Sequence, residues 1–472
     1  SRNPLRIPRT EHTEAEMTDA NQPDREVAVL GLGKSGTSAA RLLLSRGSRV
    51  YASDAGTTAT IEANAASLRA LGAAVDVGGH DLARIARASR AVVSPGIDPL
   101  NPPVAVAREA GIPLVSEIEI ALAALDRSKI IAITGTNGKT TTTALIGHLL
   151  RGLGTDAVDA GNIGIPLSDM AMMPTPPSWI ALEMSSFQLH DTPSLSPEVG
   201  VLTNLTPDHL DRYRSTEDYY SDKARLFARG NDGSKWVINS DDVLVGQMTA
   251  NVAGEKFGFS TRSRSDAWLD AAAGTLMLRG DALLPRGELD LLGDHNVANA
   301  LAAALAVSIA DASFATTEAL ARMAESLRTF NALAHRLEIV GEVKGVQWIN
   351  DSKATNVSST LVAVSGMRRP TILLLGGRHK REPYIGLIDA IRKSVKKVIA
   401  YGEAAPEIEK DLSTVVPFER LGSDFEEVMA RARESAQPGD AVLLSPACSS
   451  FDMFKNYEER GNTFKRLAMA KA

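Results

Sequence analysis

The sequence predicts an α/β protein of about three domains, each an open, mostly parallel sheet flanked by helices. Three observations carry this expectation. The chain has 472 residues, too many for one ordinary core. From Val27 onward, short runs rich in Val, Ile, Ala and Leu alternate with longer amphipathic stretches, the rhythm of parallel strands joined by helical crossovers. Two glycine-rich turns, "GLGKSG" from Gly31 and "GTNGKT" from Gly135, each separate an apolar run from a helical pattern, where open parallel sheets collect their ligands.

Taken in order, "VAVLGLG", "SGTSAARLLLSRG" and "SRVYASD" read as strand, helix and strand, and "AVVSPGI" and "IPLVSE" extend the same domain over 25–125. The pattern restarts at "IIAITGTNGKT" after the polar "LDRSK" and runs through "WIALEMSS" and "VGVLTNLTPDHLD", a second domain over 126–328. It restarts again at "VQWINDSKATN", behind the turn-rich "RTFNALAHR", and continues through "TILLLGGRHK", "KKVIAYGE" and "AVLLSPACSS" as a third over 329–472. Residues 1–24 are polar and carry no signal-peptide pattern, so a disordered lead-in is expected there. Met17 marks what precedes it as a candidate upstream extension.

Apolar residues make up 44% of the chain and charged ones 23%, and no run approaches the ~20 apolar residues a membrane span requires. No membrane partner is expected. A net charge of -6 argues against a broad footprint for nucleic acid and leaves phosphate-bearing small molecules as the partner class. Cys448 is the only cysteine, so no intrachain disulfide can form and a cytoplasmic location is the default.

A standard phosphate loop reads G-x-x-x-x-G-K-[ST]. Gly138, Lys139 and Thr140 are in place, but Ile133 stands where the first glycine belongs. The physics survives that departure. Gly135, Thr136, Asn137 and Gly138 can turn backbone N–H groups inward, and the helix opened by Lys139, Thr140 and Thr141 offers its positive end. Lys139 can reach terminal phosphates and Thr140 can ligate Mg²⁺, so a nucleoside triphosphate is expected.

"GLGKSG" follows a strand and opens a helix, and Asp54 ends the next strand about twenty residues later, the spacing of a nicotinamide dinucleotide site. The same geometry holds any diphosphate, including that of a nucleotide sugar. A dehydrogenase has no use for a phosphate-transfer loop.

Three later residues could complete a Mg²⁺ site: Glu183 in "ALEMSSFQLH", His209 in "TPDHLDRY" and Lys223 in "YYSDKARLF". Mg²⁺ prefers oxygen, so Glu183 is natural and His209 tolerable, while a bare ammonium on Lys223 would be repelled. The plain alternatives are a solvated helix lysine at Lys223 and a loop cap at His209.

With "TGTNGKT", "GNIGIP", "LEMSSFQL", "TNLTPDHLDRY", "GDHNVANALAA", "HRLE", "INDSKATN" and "LLSPACSSFDMFKNYEERG" in this order, the chain resembles the Mur ligases of peptidoglycan synthesis from Val27 onward. "NDSKATN" and the closing motif resemble the branch that adds D-glutamate. The resemblance implies a three-domain architecture whose first and last domains are Rossmann-like and whose central domain is a P-loop-type ATPase. It implies an ADP-forming ligation of D-glutamate to UDP-N-acetylmuramoyl-L-alanine through an acyl phosphate, with ATP and two Mg²⁺ ions, by a cytoplasmic monomer. Rival readings are another amino-acid ligase of the superfamily such as a folylpolyglutamate synthase, an NAD-dependent dehydrogenase, or a nucleotide switch. The first shares the central motifs but not the closing ones.

Carried over residue by residue, the resemblance puts Lys139 and Thr140 on the phosphates and one Mg²⁺, with Glu183 on the same ion. His209 and Lys223 fall at a second metal position, where the family's lysine is carbamylated, turning an ammonium into a carboxylate-like ligand. Asn296, Asn299, His335, Arg336 and Asp351 match the positions that hold adenine, ribose and phosphate tail. Lys34, Ser35, Asp54 and the turn Ser94, Pro95, Gly96 would take the uridine diphosphate, and Gly161, Asn162, Ser185 and Gln188 would line the muramoyl-alanine path. D-glutamate would meet Lys353, Thr355, Lys380, Ser450 and Tyr457, with Arg378 and Arg381 as basic neighbours of Lys380.

Overall fold

The computed structural model describes residues 25–470 except 163, 209–211 and 381. The expected lead-in over 1–24, His209 and Arg381 therefore lie outside the described residues. The chain divides into two compact units. The first holds everything up to Trp268 with Met277–Leu283 and Leu301–Ser326; the second holds Leu269–Leu276, Leu284–Ala300 and the chain from Leu327.

The first unit opens with a five-stranded parallel sheet in the order Ala74–Val77, Val50–Asp54, Val27–Leu30, Arg90–Val93, Leu114–Val115. Its middle strand is buried at every position, which is why "VAVL" carries no polar residue. The chain leaves this strand through Gly31, at φ 92°, into the helix Lys34–Ser45. Sequence order reverses beside Val27–Leu30, so the turn "GLGKSG" lies at a switch point.

The next sheet counts nine strands among the described residues. Lys129–Thr134 runs between Trp179–Glu183 and Val199–Leu202, parallel to both. Ala157–Gly161 lies beyond the first neighbour, while Lys235–Asn239 and Glu255–Ser260 continue past the second. The order again reverses at the strand that precedes a glycine turn.

In the second unit a six-stranded sheet runs Glu338–Val343, Val346–Asn350, Ala441–Leu444, Thr371–Gly376, Val395–Tyr401, Phe418–Arg420. All its pairs are parallel except the first. That antiparallel edge was not anticipated from sequence. Its signal is the two-residue turn Lys344-Gly345, with φ of 52° and 76°, between two short β-rich runs. Trp348 and Phe464 pack on one face and Ile349, Leu373 and Leu443 on the other, so the sheet is covered on both sides.

Candidate functional site

The phosphate loop leaves the carboxyl end of Lys129–Thr134. Ile133 is a wholly buried strand residue, so the position of the standard motif's first glycine belongs here to the core. The turn is made by Gly135, at φ 143°, pressed so closely on Thr203 and Asn204 that a Cβ would overlap the Thr203 hydroxyl. Asn204 cradles the loop: its Oδ1 accepts from the Asn137 N–H at 2.9 Å, its Nδ2 donates to the Asn137 carbonyl at 2.8 Å, and its carbonyl accepts from Thr136 N–H at 2.9 Å. Gly138, at φ 83°, then starts the helix Lys139–Gly152 with Thr140 and Thr141 buried in its first turn. That turn carries no acidic residue, so its positive end stays available for an anion.

Two lysines converge on this loop. Lys139 Nζ donates to the carbonyls of Gly135 and Thr136 at 2.9 and 2.7 Å. Lys223 Nζ, from the helix Thr216–Ala224, donates to the same Gly135 carbonyl at 2.7 Å and lies over the Tyr219 ring. Lys223 is 1% exposed, which removes the solvated-lysine alternative. Burial, then repulsion from Lys139, holds its ammonium far below the usual lysine range, against the pull of Asp208, Asp222 and Glu183. Tyr219 also donates its hydroxyl to Thr136 Oγ1 at 3.2 Å, so one helix turn supports the loop twice.

Glu183 ends its strand beside the loop and is 1% exposed. Its Oε1 accepts from Asn162 Nδ2 at 2.8 Å, while its Oε2 is buried with no hydrogen-bond partner among the described residues. An orphaned carboxylate oxygen at the mouth of a phosphate loop fits a hard cation. No cluster of three His, Cys, Asp or Glu side chains forms among the described residues, so such a cation would draw on mixed donors. Gly161, beside Asn162, approaches the Glu183 backbone too closely for any side chain. Ser185 and Gln188 form a capping box, with the Ser185 N–H and hydroxyl both donating to Gln188 Oε1 at 2.9 Å. "SSFQ" carries that signature in the sequence.

At the first sheet, Asp54 faces inward. Its two carboxylate oxygens accept the N–H groups of Leu32 and Gly56, both at 2.7 Å, so the acid that spacing offered to a ribose braces the glycine turn. Gly31 and Gly36 pack against Ser94, and Lys34 donates to the Gly164 carbonyl at 2.6 Å. Ser35 and Pro95 are partly exposed beside them, and Gly96 is exposed. Arg212, which sequence reading passed over inside "DHLDRY", donates to the carbonyls of Pro95 and Ile97 and stacks over Phe187.

The remaining candidates belong to the second unit. Asn296 and Asn299 lie one helical turn apart, with Asn299 Nδ2 donating to Asn296 Oδ1 at 3.1 Å. His335, at φ 64°, meets Asn350 through Nδ1 at 2.9 Å and faces the Tyr457 ring edge-on, next to Arg336 in the chain. Asp351 accepts from Leu337 N–H and Ser445 Oγ at 3.2 and 2.8 Å, and burial pushes its carboxyl up to about 7. Lys353 lies over the Tyr457 ring. Ser450 is buried and Thr355 half-buried, whereas Lys380 is exposed on its loop, where Arg378 pairs with Glu403.

A phosphate loop at a switch point, faced by a buried acid and a buried lysine, marks a phosphate-binding α/β protein. Family models match three stretches: a Mur ligase MurD-like N-terminal domain over 25–116, a Mur ligase middle domain over 133–307 and a Mur ligase, glutamate ligase domain over 335–448. The chain belongs to the Mur ligase family. It is 40% identical over 466 residues to the UDP-N-acetylmuramoylalanine--D-glutamate ligase of Salinibacter ruber, covering 96% of this chain and 99% of that protein. The protein of that name from Chromobacterium violaceum is 41% identical, with 93% and 96% covered. Among solved structures, the MurF ligase of Thermotoga maritima in complex with ADP matches with a TM-score of 0.60 at 16% identity, over 95% of this chain and 96% of that one. A pseudomurein peptide ligase type C from Methanothermus fervidus matches with a TM-score of 0.56 at 21% identity, over 89% and 96%. Both show the same fold. Among the described residues no helix is long and apolar enough to cross a membrane.

Proposed function

We propose that the protein joins D-glutamate to UDP-N-acetylmuramoyl-L-alanine at the expense of ATP. The alanyl carboxylate attacks the γ-phosphorus, ADP leaves, and an acyl phosphate forms. The D-glutamate amine then attacks the acyl carbon and expels phosphate, giving the amide and releasing a proton. What carries this reading is the 40% identity to a D-glutamate ligase over nearly the full length of both chains.

Lys139 and the helix behind it neutralise charge on the phosphates, the chief requirement of carboxylate activation. Thr140 and Glu183, whose Oε2 has no hydrogen-bond partner among the described residues, would hold one Mg²⁺; His209 and Lys223 would hold a second. Bound Mg²⁺ supplies charge neutralisation and a template for the phosphates. Lys223 serves as its carbamate: it is buried at the loop, and its depressed basicity supports a neutral amine able to attack CO₂, losing one proton and ending as an anionic oxygen donor. Gly135–Thr141, Asn296, Asn299, His335, Arg336 and Asp351 take ATP. Lys34, Ser35, Asp54 through its hold on the glycine turn, and Ser94, Pro95, Gly96 serve the uridine diphosphate. Gly161, Asn162, Ser185 and Gln188 serve the muramoyl-alanine arm, and Lys353, Thr355, Lys380, Ser450 and Tyr457 serve D-glutamate. The segments 25–125, 126–328 and 329–472 are read as the nucleotide-sugar, ATP and amino-acid domains, with His335, Arg336 and Asp351 of the last also assigned to ATP and Gly161, Asn162, Ser185 and Gln188 of the second to the muramoyl-alanine arm. Because its substrates are ATP and a nucleotide-linked sugar, the enzyme is read as cytoplasmic. It is read as a monomer.

The test is phosphate release from ATP with UDP-N-acetylmuramoyl-L-alanine against a panel of amino acids. Release that depends on D-glutamate is expected. Release with L-glutamate or a diamino acid instead, or reduction of a nicotinamide cofactor, would replace this reading.

A further inference from the structure

Arg460, in the helix Tyr457–Met469, is wholly buried. Burying a guanidinium is costly unless its donors are met, and here they are met by neutral acceptors on three separate segments. Its Nε donates to Ser352 Oγ at 3.0 Å and its Nη2 to the Ser352 carbonyl at 2.8 Å. Its Nη1 donates to the carbonyls of Cys448 and Gly376 at 3.1 and 3.4 Å. Each segment lies at or just beyond the carboxyl end of a strand, Val346–Asn350, Ala441–Leu444 and Thr371–Gly376. Each then delivers one of the residues assigned to the amino acid: Lys353 directly after Ser352, Ser450 two residues after Cys448, Lys380 four after Gly376.

The packing around the fork leaves little slack. A Cβ on Gly377 would lie 3.1 Å from Arg460 Nη1, and Gly377 has φ 130°. The Ser352 hydroxyl in turn donates to the Tyr457 carbonyl at 2.9 Å, which ties in the start of the helix that carries Arg460.

We propose that Arg460 is a positioning residue of the amino-acid pocket: its planar fork sets the spacing of the loops bearing Lys353, Ser450 and Lys380, and so selects for a dicarboxylate. The inference rests on the assignment of those three residues to D-glutamate. A lysine keeps the charge but cannot span these four acceptors as one planar fork does, so Arg460→Lys separates geometry from charge.

The experiment measures KM for D-glutamate, ATP and UDP-N-acetylmuramoyl-L-alanine in wild type, Arg460→Lys, Ser352→Ala and Lys353→Ala, with thermal unfolding of each. Arg460→Lys is expected to raise the D-glutamate KM about tenfold or more while the other two stay within about twofold, the loss of a charge-assisted fork. Ser352→Ala removes one acceptor without emptying the core and is expected to shift the same constant about threefold. The inference is overturned if Arg460→Lys and Ser352→Ala leave the D-glutamate KM unchanged while Lys353→Ala raises it. It is overturned equally if all three constants and kcat fall together in step with stability. If Lys353→Ala itself leaves D-glutamate use intact, the pocket assignment fails first.

Discussion

The Nζ atoms of Lys139 and Lys223, 84 positions apart in the chain, donate to one carbonyl, that of Gly135, at 2.9 and 2.7 Å. Two like charges on one acceptor in a buried setting repel, and Lys139 is the second cause, after burial, of the depressed basicity of Lys223. A polyphosphate gives Lys139 a better partner than two carbonyls.

Lys139→Ala should therefore lose ligase activity by about a thousandfold or more with an unchanged unfolding temperature, since the lost charge is aimed at the transferring phosphoryl group. Activity within tenfold of wild type would remove Lys139 from the reaction.

Lys223→Ala should be nearly inactive in ordinary buffer and partly recovered by millimolar short-chain carboxylic acids, which restore an oxygen donor to the gap. Lys223→Arg should not recover, because a cation still fills the space. Full activity of Lys223→Ala without added acid would exclude the carbamate.

Asp351 gives a pH dependence with a definite sign. Its carboxyl is raised in the folded state from 3.8 to about 7, so the fold binds the proton more tightly than the unfolded chain. The stabilisation is complete below pH 3.8 and is lost as pH rises through about 7. Asp351→Asn, whose Oδ1 can still accept from Leu337 while Ser445 Oγ turns to Thr360, lacks that titration. Its stability relative to wild type should improve by on the order of 2 to 4 kcal/mol between pH 4 and pH 8 in denaturant titrations. A difference constant across that range would contradict the assignment.

Gly461→Ala is the test of the His335 neighbourhood. A Cβ there would overlap His335 Nδ1, which meets Asn350 at 2.9 Å. Calorimetric titration with ADP should show affinity weakened by about tenfold or more, as for overpacking against a ligand-bearing ring. Unchanged ADP affinity would take His335 away from the nucleotide.

The strands were legible because each leaves an apolar run of fixed length, and the phosphate loop because Gly-Lys-Thr has few other uses. What hid were directions. Nothing in "VYASD" says that Asp54 turns back to brace Leu32 and Gly56, since the spacing of a ribose ligand and of a turn brace is the same. Lys223 and Arg460 are residue types found outside by default, and their burial arises from partners 88 and up to 108 positions away. The edge strand Glu338–Val343 was overlooked because a parallel rhythm was expected to continue.

In the second unit's sheet, Ala441–Leu444 is the last strand to be synthesised, yet it sits between Val346–Asn350 and Thr371–Gly376. A nascent chain that has emerged only as far as residue 440 has thus made two half-sheets with facing raw edges and nothing to join them. Completion waits for Ala441–Leu444, and the long-range pairing it supplies is the slow kind. Chains cut short of Leu444 therefore expose unpaired strand edges on both half-sheets, the feature that makes incompletely folded α/β chains prone to aggregate.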